Sequence, residues 1–189
     1  MAEDEAVTKR IKIVGLGGTL RAGSSTELAV ASVLNKAAAL GADVELIAGP
    51  QLEMPFYNPS VEGRSKEAMA LVTALRGAHG VVIGSPGYHG SISGLIKNAL
   101  DYIEDMSGDS AAYLDGRAVG LIASGAGMAG AMTTLSALRD MTHALRGFAT
   151  PFGYAFNSTD KSEAGLEAAE RQTALLARQV FDLAKRLSI

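Results

Sequence analysis

Val81-Val-Ile-Gly-Ser-Pro-Gly-Tyr-His-Gly-Ser-Ile-Ser-Gly-Leu-Ile-Lys-Asn-Ala-Leu-Asp-Tyr102 decides the fold. It opens on a short apolar run and closes inside an amphipathic helix. Between them lies a turn built on Pro86, Gly87, Gly90 and Gly94, with Tyr88 and His89 held among the glycines. A strand that feeds a glycine-rich loop and then a helix puts that loop at the carboxyl edge of a sheet, where open α/β folds bind ligands.

The same grammar repeats outward in both directions. Strands are expected over residues 10–15, 43–48, 80–84, 117–123 and 149–156. Helices are expected over 27–40, 65–76, 93–104, a stretch ending near 146, and 163–187. Ser24 and Glu27 have the spacing of a capping box. Five apolar strands alternating with five helices predict an α/β fold, a parallel sheet covered on both faces. Order 2-1-3-4-5 is the simplest doubly wound arrangement, since a six-stranded sheet would need a further βα unit.

Size and composition narrow the function. The chain has 189 residues, which suits one domain. No apolar run approaches a membrane span, and residues 1–9 read as a loose, polar lead-in without a signal-peptide core. Cytoplasmic residence and no membrane partner are expected. Cysteine is absent, which removes disulfides, thiol nucleophiles and thiolate metal sites. The three histidines lack metal-ligand spacing, so no metal is expected. A net charge of -3 without a basic block argues against nucleic acid.

Two loops carry the chemistry. After the first strand, Thr19, Ser24, Ser25 and Thr26 offer hydroxyls, Arg21 a guanidinium, and the next helix its free N–H groups, together an anion site suited to a phosphate. No Gly-Lys-Ser/Thr ends this loop, so it is not a Walker A loop. Gly125-x-Gly127-x-x-Gly130 spells a dinucleotide pattern, but the following strand ends without a clear ribose-binding acid. A glycine loop bordering another ligand is the better reading there.

Gly18-Thr-Leu-Arg-Ala-Gly-Ser-Ser-Thr26 resembles the G-[ST]-x-R-x-x-S-x-[NT] phosphate loop of the NADPH-dependent FMN reductase family. Ser85 to Asp101 resembles that family's second signature, and with the glycine loop the likeness covers about residues 10–155. The resemblance implies a flavodoxin-like three-layer sandwich, FMN as cofactor and NADPH or NADH as co-substrate. It implies that Thr19, Arg21, Ser24, Ser25 and Thr26 hold the phosphate. Pro86, Gly87, Tyr88, His89 and Gly90 would line the ribityl chain and ring, and Ser124, Gly125 and Gly127 would approach the flavin's other side. Hydride chemistry would reside on the flavin, with Tyr88 and His89 nearest to assist. Gly87 stands where the family often has a larger residue, which suggests an opened pocket or a looser loop.

The implied activity is NAD(P)H-dependent FMN reduction. Quinone, azo-dye or metal-ion reduction by bound FMN is the alternative, and a non-enzymatic flavodoxin-type electron carrier is the rival from another class. A small electron acceptor, a flavin-dependent monooxygenase and a homodimer or homotetramer are the partners to expect. Met54 to Pro59, Met128 with Met132, and Tyr102, Ile103 and Met106 are the candidate contact surfaces. Lys97 and Asp101 have helix-surface pair spacing, and Asp115 and Arg117 read as turn residues.

Overall fold

The computed structural model describes residues 10–188, so the lead-in expected over residues 1–9 lies outside them. The sheet is built from β1 (Lys12–Gly17), β2 (Asp43–Ala48), β3 (Gly80–Tyr88), β4 (Ser91–Ile92), β5 (Ala118–Gly125), β6 (Phe148–Ala149) and β7 (Tyr154–Asn157). The parallel order is β2-β1-β3-β5, with β6 and β7 both pairing β5 on its outer side. This is the expected order 2-1-3-4-5, with the fifth strand in two pieces.

The break falls at Thr150–Gly153. The chain takes five steps from Ala149 to Tyr154 while β5 takes three, from Val119 to Ile122. Pro151 has no N–H to give the ladder. Thr150 N–H still donates to Val119 O (2.9 Å), but Phe152 N–H donates away from the sheet, to Gln179 Oε1 (3.0 Å). A second difference concerns β3, which continues through Ser85–Tyr88, expected as turn, and pairs antiparallel with β4.

Helices α1 (Ser25–Ala39) and α5 (Glu163–Leu187) pack on one face of the sheet. Helices α2 (Lys66–Arg76), α3 (Gly94–Asp101) and α4 (Met128–Ala144) pack on the other. The period-two alternation of strands divides the core accordingly. Val14, Leu16, Val81, Ile83 and Leu121 face α2, α3 and α4, whereas Ile13, Val82 and Ile122 face α1 and α5. Burial on both sides explains the near-continuous apolar runs that a single-faced sheet would not tolerate.

Helix starts fix where the loops stand. Ser24, Ser65, Ser93 and Ser162 each accept the N–H three residues on, capping α1, α2, α3 and α5. Each such cap contributes roughly 1 kcal/mol. Helix α4 starts at Gly127 with no side-chain cap, leaving its first-turn N–H groups pointing out at the sheet's carboxyl edge.

Candidate active site

Three strand ends, β1, β3 and β5, deliver their loops to the same edge. The first loop is held from below. Gly18 lies flush on β3, where an added Cβ would come within 2.5 Å of Pro86 Cδ and 2.8 Å of Gly84 O. Thr19 Oγ1 donates to Arg21 O (3.2 Å), and Gly23 N–H donates to Glu27 Oε2 (3.1 Å), while Ser24 Oγ accepts from Glu27 N–H (3.3 Å). Ser25 and Thr26 occupy the first turn, so their N–H groups have no acceptor within the helix. Arg21 is exposed and makes no ion pair among the described residues.

Thr26 and Ser124 behave differently from the other hydroxyls. Both are buried, and their oxygens are 2.7 Å apart, so their side chains join the β1 loop to the β5 loop. Ser93, absent from the sequence-based candidates, adds a second tie: it caps α3 and its hydroxyl reaches Gly18 O (3.4 Å). Ser85, also missed, is fully buried and accepts the Ser93 N–H (2.9 Å). Ser85 and Ser93 stand in the opening stretch, yet neither their mutual bond nor the Ser93 link to Gly18, 75 residues away, is marked by residue type alone.

The Pro86–Gly90 segment is a hairpin. Tyr88 pairs Ser91, and His89 (φ 52°) and Gly90 (φ 88°) form the two-residue turn with both φ positive, as a type I′ turn requires. Tyr88, His89 and Gly90 are exposed at its tip, while Pro86 is buried beneath. Gly87 is half-buried, and its missing side chain faces α4: an added Cβ would lie 2.5 Å from Thr134 Oγ1 and 3.0 Å from Gly130 O. The small residue therefore tightens the hairpin against α4, correcting the expectation of an opened pocket or loosened loop.

Gly125 is equally constrained, since a Cβ there would meet Gly127 O and Ala131 N at 3.0 Å. Around Gly127 the space is open. Beside these loops a cleft of about 1180 Å³ runs past the sheet's outer edge, lined by Arg21, Met128, Met132, Arg139, Phe156 and Asn157 among others. Tyr88 and His89 do not line it.

Elsewhere the structure sorts the remaining candidates. Tyr102, Ile103 and Met106 are buried in the chain's own core, which removes them as a contact surface. Their apolar spacing reads equally well as a core face, and only the packing of α2 distinguishes the two. Met128 and Met132 are exposed. The Met54–Pro59 segment is pinned by Asn98, whose Oδ1 accepts the Tyr57 N–H (2.8 Å) and whose Nδ2 donates to Pro55 O (2.9 Å). This leaves Phe56 on a fixed loop with 89% of its surface exposed. Lys97 and Asp101 form an i,i+4 surface pair. Arg117 is buried, not a turn residue; it donates to Leu75 O, Arg76 O, Tyr113 O and Asp115 O, and burial lowers its pKa.

Among the described residues no group of three or more His, Cys, Asp or Glu is placed to hold a metal. No helix among them is long and apolar enough to cross a membrane.

The sheet order and the ligand-ready loops at its carboxyl edge define a flavodoxin-like oxidoreductase fold. Residues 11–161 match the model of the NADPH-dependent FMN reductase family, and the chain belongs to that family. It is an NAD(P)H-dependent flavin oxidoreductase that works with FMN. It is 33% identical over 146 residues to an FMN-dependent NADPH-azoreductase of Staphylococcus saprophyticus, covering 72% of this chain and 70% of that one. A second such azoreductase, from Staphylococcus haemolyticus, is 33% identical over 113 residues, with 60% and 56% covered. An oxidoreductase from Corynebacterium diphtheriae has the same fold, with a TM-score of 0.73 at 20% identity over 94% of this chain and 98% of that one.

Proposed function

We propose that residues 10–188 form one FMN-binding domain that passes electrons from NADPH or NADH to a small organic acceptor, an azo compound or a quinone being favoured. One observation carries the placement of the cofactor: Arg21, exposed and without an acidic partner among the described residues, stands in the loop that enters the N-terminus of α1. A phosphate there gains a guanidinium, the Ser25 hydroxyl and the unpaired first-turn N–H groups at the positive end of the helix dipole. Thr19, Ser24 and Thr26 would shape that loop, Thr26 chiefly through its bond to Ser124.

The remaining loops fit a flat ring. The hairpin presents Tyr88 and His89 at its tip, with the backbone of Pro86, Gly87 and Gly90 behind them, and open space around Gly127 allows close approach to the uncapped start of α4. FMN held there would supply the two-electron centre between reduced nicotinamide and the acceptor. The protein's part is to bind the phosphate, orient the ring and keep water from one side of it.

The azo acceptor is supported by the likeness to the staphylococcal FMN-dependent NADPH-azoreductases. Release of reduced FMN to a flavin-dependent monooxygenase is the second outlet for the same chemistry. The outward Phe56 on its pinned loop supports a homodimer or homotetramer. Arg21→Ala should weaken FMN by about tenfold or more, as loss of a charge-assisted hydrogen bond does, and leave riboflavin nearly unchanged. Equal weakening of both flavins, measured by fluorescence titration, would remove the phosphate assignment. NAD(P)H oxidation with free FMN, a quinone, an azo dye and a metal ion then ranks the acceptors.

A further inference from the structure

Helix α4 lays Met128, Met132, Leu135 and Arg139 along one face, at intervals of four, three and four residues, and all four line the cleft. The first three supply an apolar strip. Arg139 ends it as a half-buried cation, packed so closely on Gly153 that a Cβ there would sit 3.1 Å from Nη2. No carboxylate among the described residues pairs with it. The acids of the cleft are engaged elsewhere: Asp160 accepts from the Ser162 N–H and hydroxyl, and Glu170 pairs with Lys36. Lys161, on the same cleft, is likewise without an ion-pair partner there.

Partial burial of a guanidinium is unfavourable unless an anion compensates it. Here the cleft is apolar along one wall, cationic at its far end, and continuous through Arg21 with the loop assigned to the FMN phosphate. Its volume, about 1180 Å³, exceeds what a compact aromatic ligand fills. We infer that this cleft receives the adenosine half of NADPH, with the 2′-phosphate held by Arg139 and the adenine against Met128 and Met132. The inference rests on the reading under Proposed function and extends it by assigning the residues that separate NADPH from NADH. A side chain at Gly153 would press on both Leu135 Cδ1 (2.9 Å) and Arg139 Nη2 (3.1 Å), the two residues that end the strip.

The test uses the FMN-loaded, full-length protein and adenosine 2′,5′-bisphosphate as probe, measured by calorimetry against adenosine 5′-monophosphate. The bisphosphate should bind at least about tenfold more tightly, and Arg139→Gln should abolish most of that difference. In steady-state assays Arg139→Gln should raise KM for NADPH about tenfold and shift KM for NADH less than threefold. Equal binding of the two adenylates, a parallel rise of both KM values, or competition of the bisphosphate with a sulfonated azo dye instead of with NADPH would overturn the assignment. Failure to bind FMN or to oxidise either nucleotide would instead sink the reading it rests on.

Discussion

Gly87 shows how a residue's meaning can reverse between sequence and structure. As a departure from a family pattern it suggests slack, yet in three dimensions it is the one residue that lets the hairpin close on Thr134. Gly87→Ala should therefore destabilise the protein by about 1–3 kcal/mol through overpacking. A companion Thr134→Val, which keeps the volume, should not relieve the loss, whereas Thr134→Ser/Gly87→Ala should recover none of the hydroxyl clash and Thr134→Ala much of it, read as midpoint shifts in urea. His89 is the opposite case. Glycines on either side of Tyr88 and His89 signal a turn, but only the backbone shows that His89 itself adopts φ 52°, a conformation its side chain tolerates better than most. Thr26 and Ser124 were each legible as loop hydroxyls; the bond between them, across 98 residues, was not.

At the scale of elements, periodicity placed the five α-helices and the main strands because each buries one stripe or two faces in a fixed rhythm. What it missed depends on a single distant partner. The Pro151 interruption was visible only as a proline near a strand start; Gln179 on α5 is what draws Phe152 off the ladder. The Met54–Pro59 segment was legible as too apolar to be idle, but its anchor, Asn98, lies on α3. Asn98→Ala leaves the Tyr57 N–H and the Met54 carbonyl to find water, while Pro55 O keeps the Tyr102 hydroxyl, and should cost about 1–3 kcal/mol. Hydrogen exchange at Tyr57 should accelerate with it while exchange in β3 does not. Uniform acceleration would mean that the side chain supports the whole core and not the loop.

For the molecule as a whole, layer order followed from alternation and loop length, whereas the electrostatic clamps that join distant segments did not. Arg64 grips Asp105 through Nε (2.7 Å) and Nη2 (2.8 Å) and stacks on Tyr57, tying the long loop to the turn after α3. The hydrogen bonds from Arg64 hold the Asp105 carboxyl below the usual carboxylate range. A carboxyl so depressed stabilises the fold fully above its unfolded value of about 3.9 and loses that contribution as pH falls through the lower folded value. Thermal melts should accordingly fall more steeply below about pH 4 in the parent than in Asp105→Asn, which should be the less stable of the two near neutrality. Parallel curves would deny the clamp a share in acid sensitivity.

The broken fifth strand has a bearing on how such molecules behave in a crowd. An unbroken outer strand would present a long template of unpaired backbone to any extended neighbour, the usual seed of aggregation. Here the rim offers runs of two and four residues, separated by a proline and shifted out of line. On this side sheet extension has no straight strand to copy, which leaves the unbroken six-residue β2, at the opposite edge, as the sheet's one regular template.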